Sequence, residues 1–405
     1  MESPGPSAPS ATGSRPTAAS DAGVLLPEVL FDVLLWLPAK ELCRLRAVCR
    51  SWRALTFDPL FIGENTARHP RHPLFLTNFR DGRTHIHVVD VSGSVVKRIP
   101  IPDGNLLLPT SLDLACVATV RNSCRVLDPA TGGVHVLPES PAAEHAGREI
   151  LRQPYTCFAF GRMAATGDYK VLRMFSRPDL FGFHQHHLFE VFTINSCSGS
   201  GSSQPQWRAR GSHEEFVEPG SVIVVGEMVY FKIDTIYDFL IVDYQHDIPL
   251  DRIIPFNLKK EEWGAILPGP ISDIFQTDEY DDHLEDYRSL WIETTLAELR
   301  GSLALVHYRT YRHIMDVWLL KDFDDVLWVK EYTIQIEPIV PTTELCVKSL
   351  FMLGDGRLVI HFPENGMLLI HDARTHTSTP LETGYLDAVA MYIGNLLSLQ
   401  AGNIV

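Results

Sequence analysis

The sequence predicts a multidomain chain: a small all-α unit of two or three helices, then a large all-β domain that reads as a β-propeller of six or seven blades. Three observations carry this. Residues 25–57 are dense in Leu at helical spacing. From about residue 72 onward, short runs of Val, Ile, Phe, Leu and Tyr alternate with Gly, Pro, Asp and Ser turns. One strand–Asp–turn–strand shape recurs through that long remainder. The boundaries that follow are a disordered tail over 1–22, a helical domain over 23–63 and a β domain over 70–400.

In the helical part, Leu30, Val33, Leu34 and Leu37 fall at i, i+3, i+4 and i+7, the stripe of an amphipathic helix. Pro27 suits the first helical position, where its missing N–H would be unpaired anyway. Pro38 disfavours helical geometry at the residue before it and so ends the segment. A second segment restarts near Ala39, with Leu42, Leu45, Val48, Trp52 and Leu55 about one per turn and Lys40, Arg44, Arg46, Arg50 and Arg53 between them. About forty residues cannot hide that many large apolar side chains. Val29, Leu35 and Trp36 fall off the main stripe and are expected to stay partly exposed, as a docking surface or against the following domain.

In the remainder, roughly twenty to twenty-four strand-like runs follow one another, and convincing helix is scarce. The recurring shape appears as HVVDVSGSVVKRIP, RVLDPATGGVHVLP, LIVDYQHDIPLDRIIP, WLLKDFDDVLWVKEY and LLIHDARTHTSTPL. Its Asp residues are Asp90, Asp128, Asp243, Asp322 and Asp372, and an Asp at a strand end is read as capping a turn through its side chain. The 282 residues from the first to the last correspond to about six intervals at roughly 45 residues per blade. Closure into a propeller also removes the exposed edges that so many strands would leave. A pair of β-sandwiches is the alternative.

Bulk properties exclude several classes. The 405 residues carry 35 Lys and Arg against 50 Asp and Glu, a net charge of −15 that argues against general nucleic-acid binding. Residues 1–75 are near neutral, with eight basic and seven acidic side chains, so the β domain holds the negative charge. No apolar run approaches the roughly 18 residues of a membrane span. The Ser-, Ala- and Pro-rich opening lacks the apolar core of a secretory signal. Seven scattered cysteines with no CxxC pair favour reduced thiols, and hence a cytoplasmic or nuclear location.

The stretch from Leu25 to Phe61 closely resembles the F-box motif. The matching features are Leu26-Pro27-Glu28, the Leu34…Leu37-Pro38 pair, Leu42, Arg46-x-Val48-Cys49-x-x-Trp52-Arg53-x-Leu55 and Asp58-Pro59-x-Phe61. Members of that family bind the adaptor Skp1 and, through it, a cullin, within SCF-type ubiquitin ligases. The resemblance implies Skp1 contacts at Leu26, Pro27, Leu30, Leu34, Leu37, Pro38, Leu42, Val48, Cys49 and Trp52. The pieces RVLDPATGGVHVLP, TGDYKVLRMF, WRARG, MDVWLLKDFDDVLWVKEYTI and YLDAVAMYIGNLLSL resemble, more diffusely, the F-box-associated domains of plant F-box proteins. In those proteins this part is thought to recognise substrates.

No catalytic, cofactor or metal constellation competes with this reading. His184, His186 and His187 cluster, and His85 and His87 share a strand face, yet neither group has the spacing of a metal site. The segment from Asp273 to Arg288 holds seven acidic residues and one Arg without the spacing of a Ca²⁺ loop, and reads as a solvated insertion or a contact for a basic peptide. Residues 196–205 read as a flexible linker. The expected function is a non-catalytic adaptor that docks on Skp1 through its helices and presents a target protein on its β domain. Two alternatives stay open: a Skp1-binding scaffold outside a ligase, and a propeller binding module or enzyme with a helical anchor.

Overall fold

Proline and one extended cysteine cut the Leu-rich segment into more pieces than its periodicity implies. The computed structural model describes residues 26–37, 39–68, 73–80, 84–101, 106–119, 122–152, 154–176, 187–194, 206–234, 251–271, 293–309, 312–336, 347–381, 383–394 and 397. The chain divides into two compact units, 1–69 and 70–405. In the first, α1 spans Pro27–Leu34, α2 Ala39–Leu45, α3 Arg50–Thr56 and α4 Pro59–Arg68. Four helices thus replace the expected two or three. Cys49 is extended, at φ −157° and ψ 167°, and begins α3 as a separate helix. The apolar period from Leu42 to Leu55 runs across this break, because the turn at 46–48 preserves the spacing.

Local chemistry explains these boundaries. Pro27 opens α1. The Asp58 Oδ1 accepts a bond from the Leu60 N–H at 2.8 Å, just ahead of Pro59, the first residue of α4. Arg46 Nη2 donates to the Thr56 carbonyl at 2.8 Å, and its guanidinium lies 3.8 Å over the Phe57 ring, so this basic residue holds the end of α3. Asn65 is buried and donates to the Leu37 carbonyl at 3.1 Å, tying α4 to the end of α1. Phe61 is fully buried, edge-on to Phe31 at 5.2 Å.

The second unit is a six-bladed β-propeller. Blade 1 consists of Leu74–Phe79, His85–Asp90, Val95–Pro100 and the late strand Leu386–Tyr392. Blade 2 holds Leu106–Leu107, Ala115–Ala118, Cys124–Leu127 and Val134–Val136. Blade 3 holds Tyr155–Arg162, Tyr169–Ser176, His187–Ile194 and Arg208–Arg210. Blade 4 holds Ile223–Val225, Met228–Lys232, Ile253–Asn257 and Glu262–Trp263. Blade 5 holds Thr294–Leu299, Ser302–Arg309, Ile314–Asp322 and Leu327–Gln335. Blade 6 holds Ser349–Met352, Leu358–Phe362, Met367–Asp372 and Thr377–Pro380.

The ring closes by sharing a blade between the two ends of the domain. Leu386–Tyr392 pairs antiparallel with Leu74–Phe79, in the register Leu76 with Ala390. The short strand Ser111–Leu112 adds to its other side in parallel. Each junction between neighbouring blades has its own apolar core. Phe160, Val171 and Phe192 of blade 3 face Cys116 and Val126 of blade 2, whereas Leu172, Met174 and Phe189 face Phe231 and Phe256 of blade 4. Alternation along a strand therefore feeds two cores, and few strand faces meet water.

The recurring Asp is a turn residue at all four of its described positions, each at the hairpin before a blade's outer strand. Asp90 Oδ1 accepts from the Ser92 and Ser94 N–H groups at 2.9 and 3.1 Å. Asp128 accepts from Ala130 N–H at 2.8 Å, Asp322 from Asp324 N–H at 2.9 Å and Asp372 from Arg374 N–H at 2.9 Å. Asp243 lies outside the described residues. The blade 4 counterpart is Asn257, whose Oδ1 accepts from Lys260 N–H at 2.9 Å. Four residues after the capping side chain, Gly132, Glu261, Val326 and His376 all take positive φ, between 49° and 80°. The 282 residues between Asp90 and Asp372 thus cover five intervals of about 56, longer than the roughly 45 expected, and the blade number is six.

Among the described residues one Arg–carboxylate pair is wholly buried. Arg173 donates from Nε and Nη2 to Glu190 Oε2 at 2.8 and 2.6 Å, and both side chains are inaccessible to solvent. Glu190 Oε1 accepts from the Ala142 N–H and faces His145 Nδ1, each at 2.8 Å. The remaining guanidinium donors reach Asn122 Oδ1 at 2.7 Å and the Ser140 carbonyl at 2.8 Å, while the Trp207 ring covers it at 3.8 Å. These contacts pin the crossover between blades 2 and 3 to the face of blade 3.

His361 makes the domain sensitive to acid. It is fully buried, and burial pushes it down to about 4 from 6.5 although Nε2 lies 3.3 Å from the Leu386 carbonyl at the start of the closing strand. The folded state favours the neutral ring, so this contribution is complete above pH 6.5 and falls as pH drops towards 4. At pH 5 the loss is about 2 kcal/mol. Urea unfolding of the wild type should lose at least that amount between pH 7 and 5, since burial also holds His87 down to about 4, and His361→Gln should narrow the difference. An unchanged difference in the variant would show that this histidine is not the titrating group.

Candidate docking face and axial channel

α1 is apolar on two sides. Leu30 and Leu34 are buried, at 7% and 1% exposure, and form its inward stripe. Leu26, Val29, Val33 and Trp36 recur at spacings of three and four along the helix and the turn after it, and their exposures are 67%, 42%, 50% and 71%. The Arg68 guanidinium sits 4.7 Å over the open Trp36 ring. Val48, just before α3, and Leu60, at the start of α4, are also exposed.

The ten positions assigned from the motif therefore separate into groups. Leu26, Pro27, Val48 and Cys49 are exposed, Leu37 and Trp52 half-buried, and Leu30, Leu34 and Leu42 interior. Pro38 lies outside the described residues. Leu35, expected to be partly exposed, is buried at 3%. Its place on the wheel looks outward for a lone helix, and in the folded chain it is covered. Val33 and Leu60 were missed as surface residues, because spacing marks an apolar stripe without saying which of two stripes faces inward. Among the basic residues, Arg46 is spent on Thr56 and Phe57 and Arg44 pairs with Glu41 at 2.7 Å, which leaves Arg50 and Arg53 on the surface.

In the propeller, the inner strands surround an axial cavity of about 540 Å³. Strand residues of blades 1, 3, 4, 5 and 6 line it, from Ser111 and Met391 to Phe160, Val224, Leu296 and Leu350, with Pro109 and Thr110 from the segment after the first strand of blade 2. Its described charged lining is Arg162, Arg300, Lys348 and one carboxylate, Glu298. That is not the paired-carboxylate channel that would favour the enzyme alternative. Cys157, near the axis, is pushed by burial up to about 12, and its thiol donates to the Pro219 carbonyl at 2.8 Å, so at neutral pH it is not a nucleophile. His187, of the sequence cluster, is buried in blade 3, while His184, His186, the acidic segment 273–288 and the linker 196–205 lie outside the described residues. Among the described residues no group of three His, Cys, Asp or Glu side chains is arranged to hold a metal ion.

The chain thus combines a small helical unit that has a bare apolar helix face with a closed propeller. Residues 27–62 match the F-box-like family, so the chain carries an F-box-like domain in its helical unit and a six-bladed β-propeller after it. The chain is similar to F-box proteins of Arabidopsis thaliana. It is 24% identical to the F-box protein At3g07870 over 334 residues, covering 76% of this chain and 72% of that one. It is 23% identical to the F-box/kelch-repeat protein At2g43445, covering 76% and 65%. To the putative F-box protein At3g16210 it is 25% identical, covering 48% of this chain and about half, 52%, of the relative.

Proposed function

We propose that this protein is the substrate-recognition subunit of an SCF-type ubiquitin ligase. The exposed α1 face docks on a Skp1-like adaptor, which joins it to a cullin, and the propeller holds a target protein. The observation that carries this reading is the stripe Leu26, Val29, Val33 and Trp36. Four large apolar side chains in a row on a solvent face cost free energy unless a partner covers them. The F-box-like match over the same helix and the F-box relatives support the choice of partner. The chain then makes and breaks no bonds itself. Rate comes from tethering, which raises the effective concentration of target lysines near the charged ubiquitin carrier. The site of this work is the cytoplasm or nucleus.

The test uses the exposed stripe, not the buried one, because a charge at Leu34 would unfold the unit. Leu26→Asp combined with Trp36→Asp should leave the unfolding temperature unchanged and weaken capture of purified Skp1–cullin by at least 100-fold, the effect of losing two central apolar anchors. Equal capture by variant and wild type would refute the assigned face. Skp1 capture without the cullin would favour the scaffold reading.

A further inference from the structure

We infer that the axial channel of the propeller is a receptor for an acidic, extended peptide segment. This rests on the propeller being the target-holding half of the protein, and it specifies the chemistry of what is held.

Three cations line the axis of a chain whose net charge is −15. Arg162 ends the inner strand of blade 3 and has a loose partner, Asp113, at 3.8 Å. Arg300 lies in the turn after the inner strand of blade 5, and its Nε meets the Met352 Sδ at 2.7 Å. Lys348 precedes the inner strand of blade 6 and donates to the Gly220 carbonyl at 2.8 Å. The one lining carboxylate, Glu298, accepts from the Gly301 N–H at 2.6 Å. Among the described residues, Arg300 and Lys348 are thus exposed and matched only to neutral acceptors.

Their placement sets the shape of the ligand. Inner strands of a propeller run in one direction, so Arg162 and Arg300, at strand ends, share one mouth, and Lys348, at a strand start, stands at the other. Four residue steps along the strand separate Lys348 from Met352, roughly 13 Å of rise. Between them the wall is backbone, hydroxyl and apolar, with Ser111, Ser349 and Leu350. An extended chain of four residues spans that distance and can place a carboxylate at each end.

Arg300 also sits where its residue type is disfavoured. Arg300 and Gly301 have φ 54° and 74° and join Leu299 to Ser302 in a two-residue hairpin, a turn that prefers Asn-Gly. A long cation held in the left-handed region at a channel mouth is local strain that the turn itself does not need. Beside it, Gly226, Gly354 and Gly356 leave the mouth open, since a Cβ on any of them would meet nothing within 4 Å.

The turn chemistry supplies a clean variant. Arg300→Asn suits the hairpin and removes the cation, and Lys348→Gln removes the other. The probe is a fluorescein-labelled octapeptide of alternating Glu and Ser, with a Gln-for-Glu twin, titrated by anisotropy into the full-length chain at 50 mM salt. The Glu peptide should bind at least tenfold tighter than its twin. The double variant should lose at least tenfold with an unchanged unfolding temperature, and Gly354→Trp, which fills the mouth, should lose binding as well. Equal binding of the two peptides, or binding that survives the double variant, overturns the proposal. The Leu26→Asp, Trp36→Asp chain should keep the peptide, so failure of the ligase reading and failure of this one are separable.

Discussion

Arg173→Met should destabilise the propeller by about 3–5 kcal/mol, read as a fall in the urea midpoint. The substitution keeps much of the stem volume and removes the charge. It leaves Glu190, which is inaccessible to solvent, with the Ala142 N–H and His145 but without its cation. It also strips the donors from Asn122 and the Ser140 carbonyl and uncovers the face of Trp207. Arg173→Lys should rescue little, because a single ammonium cannot reach Glu190, Asn122 and Ser140 together or stack as a plane on the indole. Arg173→Met with Glu190→Leu should recover part of the loss, since no unpaired charge then remains buried. A cost under about 1 kcal/mol for the single variant would mean that water enters the site, and the pair would then not be a buried one.

Ending the chain at Tyr385 should abolish cooperative folding of the propeller. The truncation removes Leu386–Tyr392, the strand that completes blade 1 and joins the two ends of the domain. It deletes buried Leu386, Val389, Ala390 and Tyr392 and frees a full edge of Leu74–Phe79. An open ring exposes the faces of blades 1 and 6 that now pack around Phe75, Val359 and Val389. Circular dichroism should show a broad, low transition and light scattering should show aggregation, as an unpaired apolar edge invites. A synthetic peptide of residues 383–394 added during refolding should restore the sharp transition. A truncated chain that still melts within a few degrees of the full one would show that the ring does not depend on this closure.

The fold class was legible because it rests on local chemistry. Strand runs, turn residues and the Asp cap declare themselves within a dozen positions, and the four described Asp side chains of the repeat do in the structure what an Asx turn requires. In blade 4 the described turn is capped by Asn257, which a search for the recurring Asp does not mark, because Asn offers the same acceptor oxygen under another letter. WRARG and TGDYKVLRMF stand out in the sequence as family-like pieces. Their function in the fold, the stacking of Trp207 on Arg173, needs residues 34 apart to meet across strands, and no spacing rule predicts that. The helix break at Cys49 was hidden because a short turn can conserve a helical period.

By itself the sequence determined that a short amphipathic unit precedes a long β domain, and it marked the family of the helical unit, because periodicity and turn chemistry are properties of neighbouring residues. Tertiary structure alone decided which of two apolar stripes of α1 is spent on the interior and which is left on the surface, how many blades close the ring, and which cations line its axial cavity. Those outcomes depend on which distant side chains share a face, and burial is set by neighbours in space that the order of residues does not reveal.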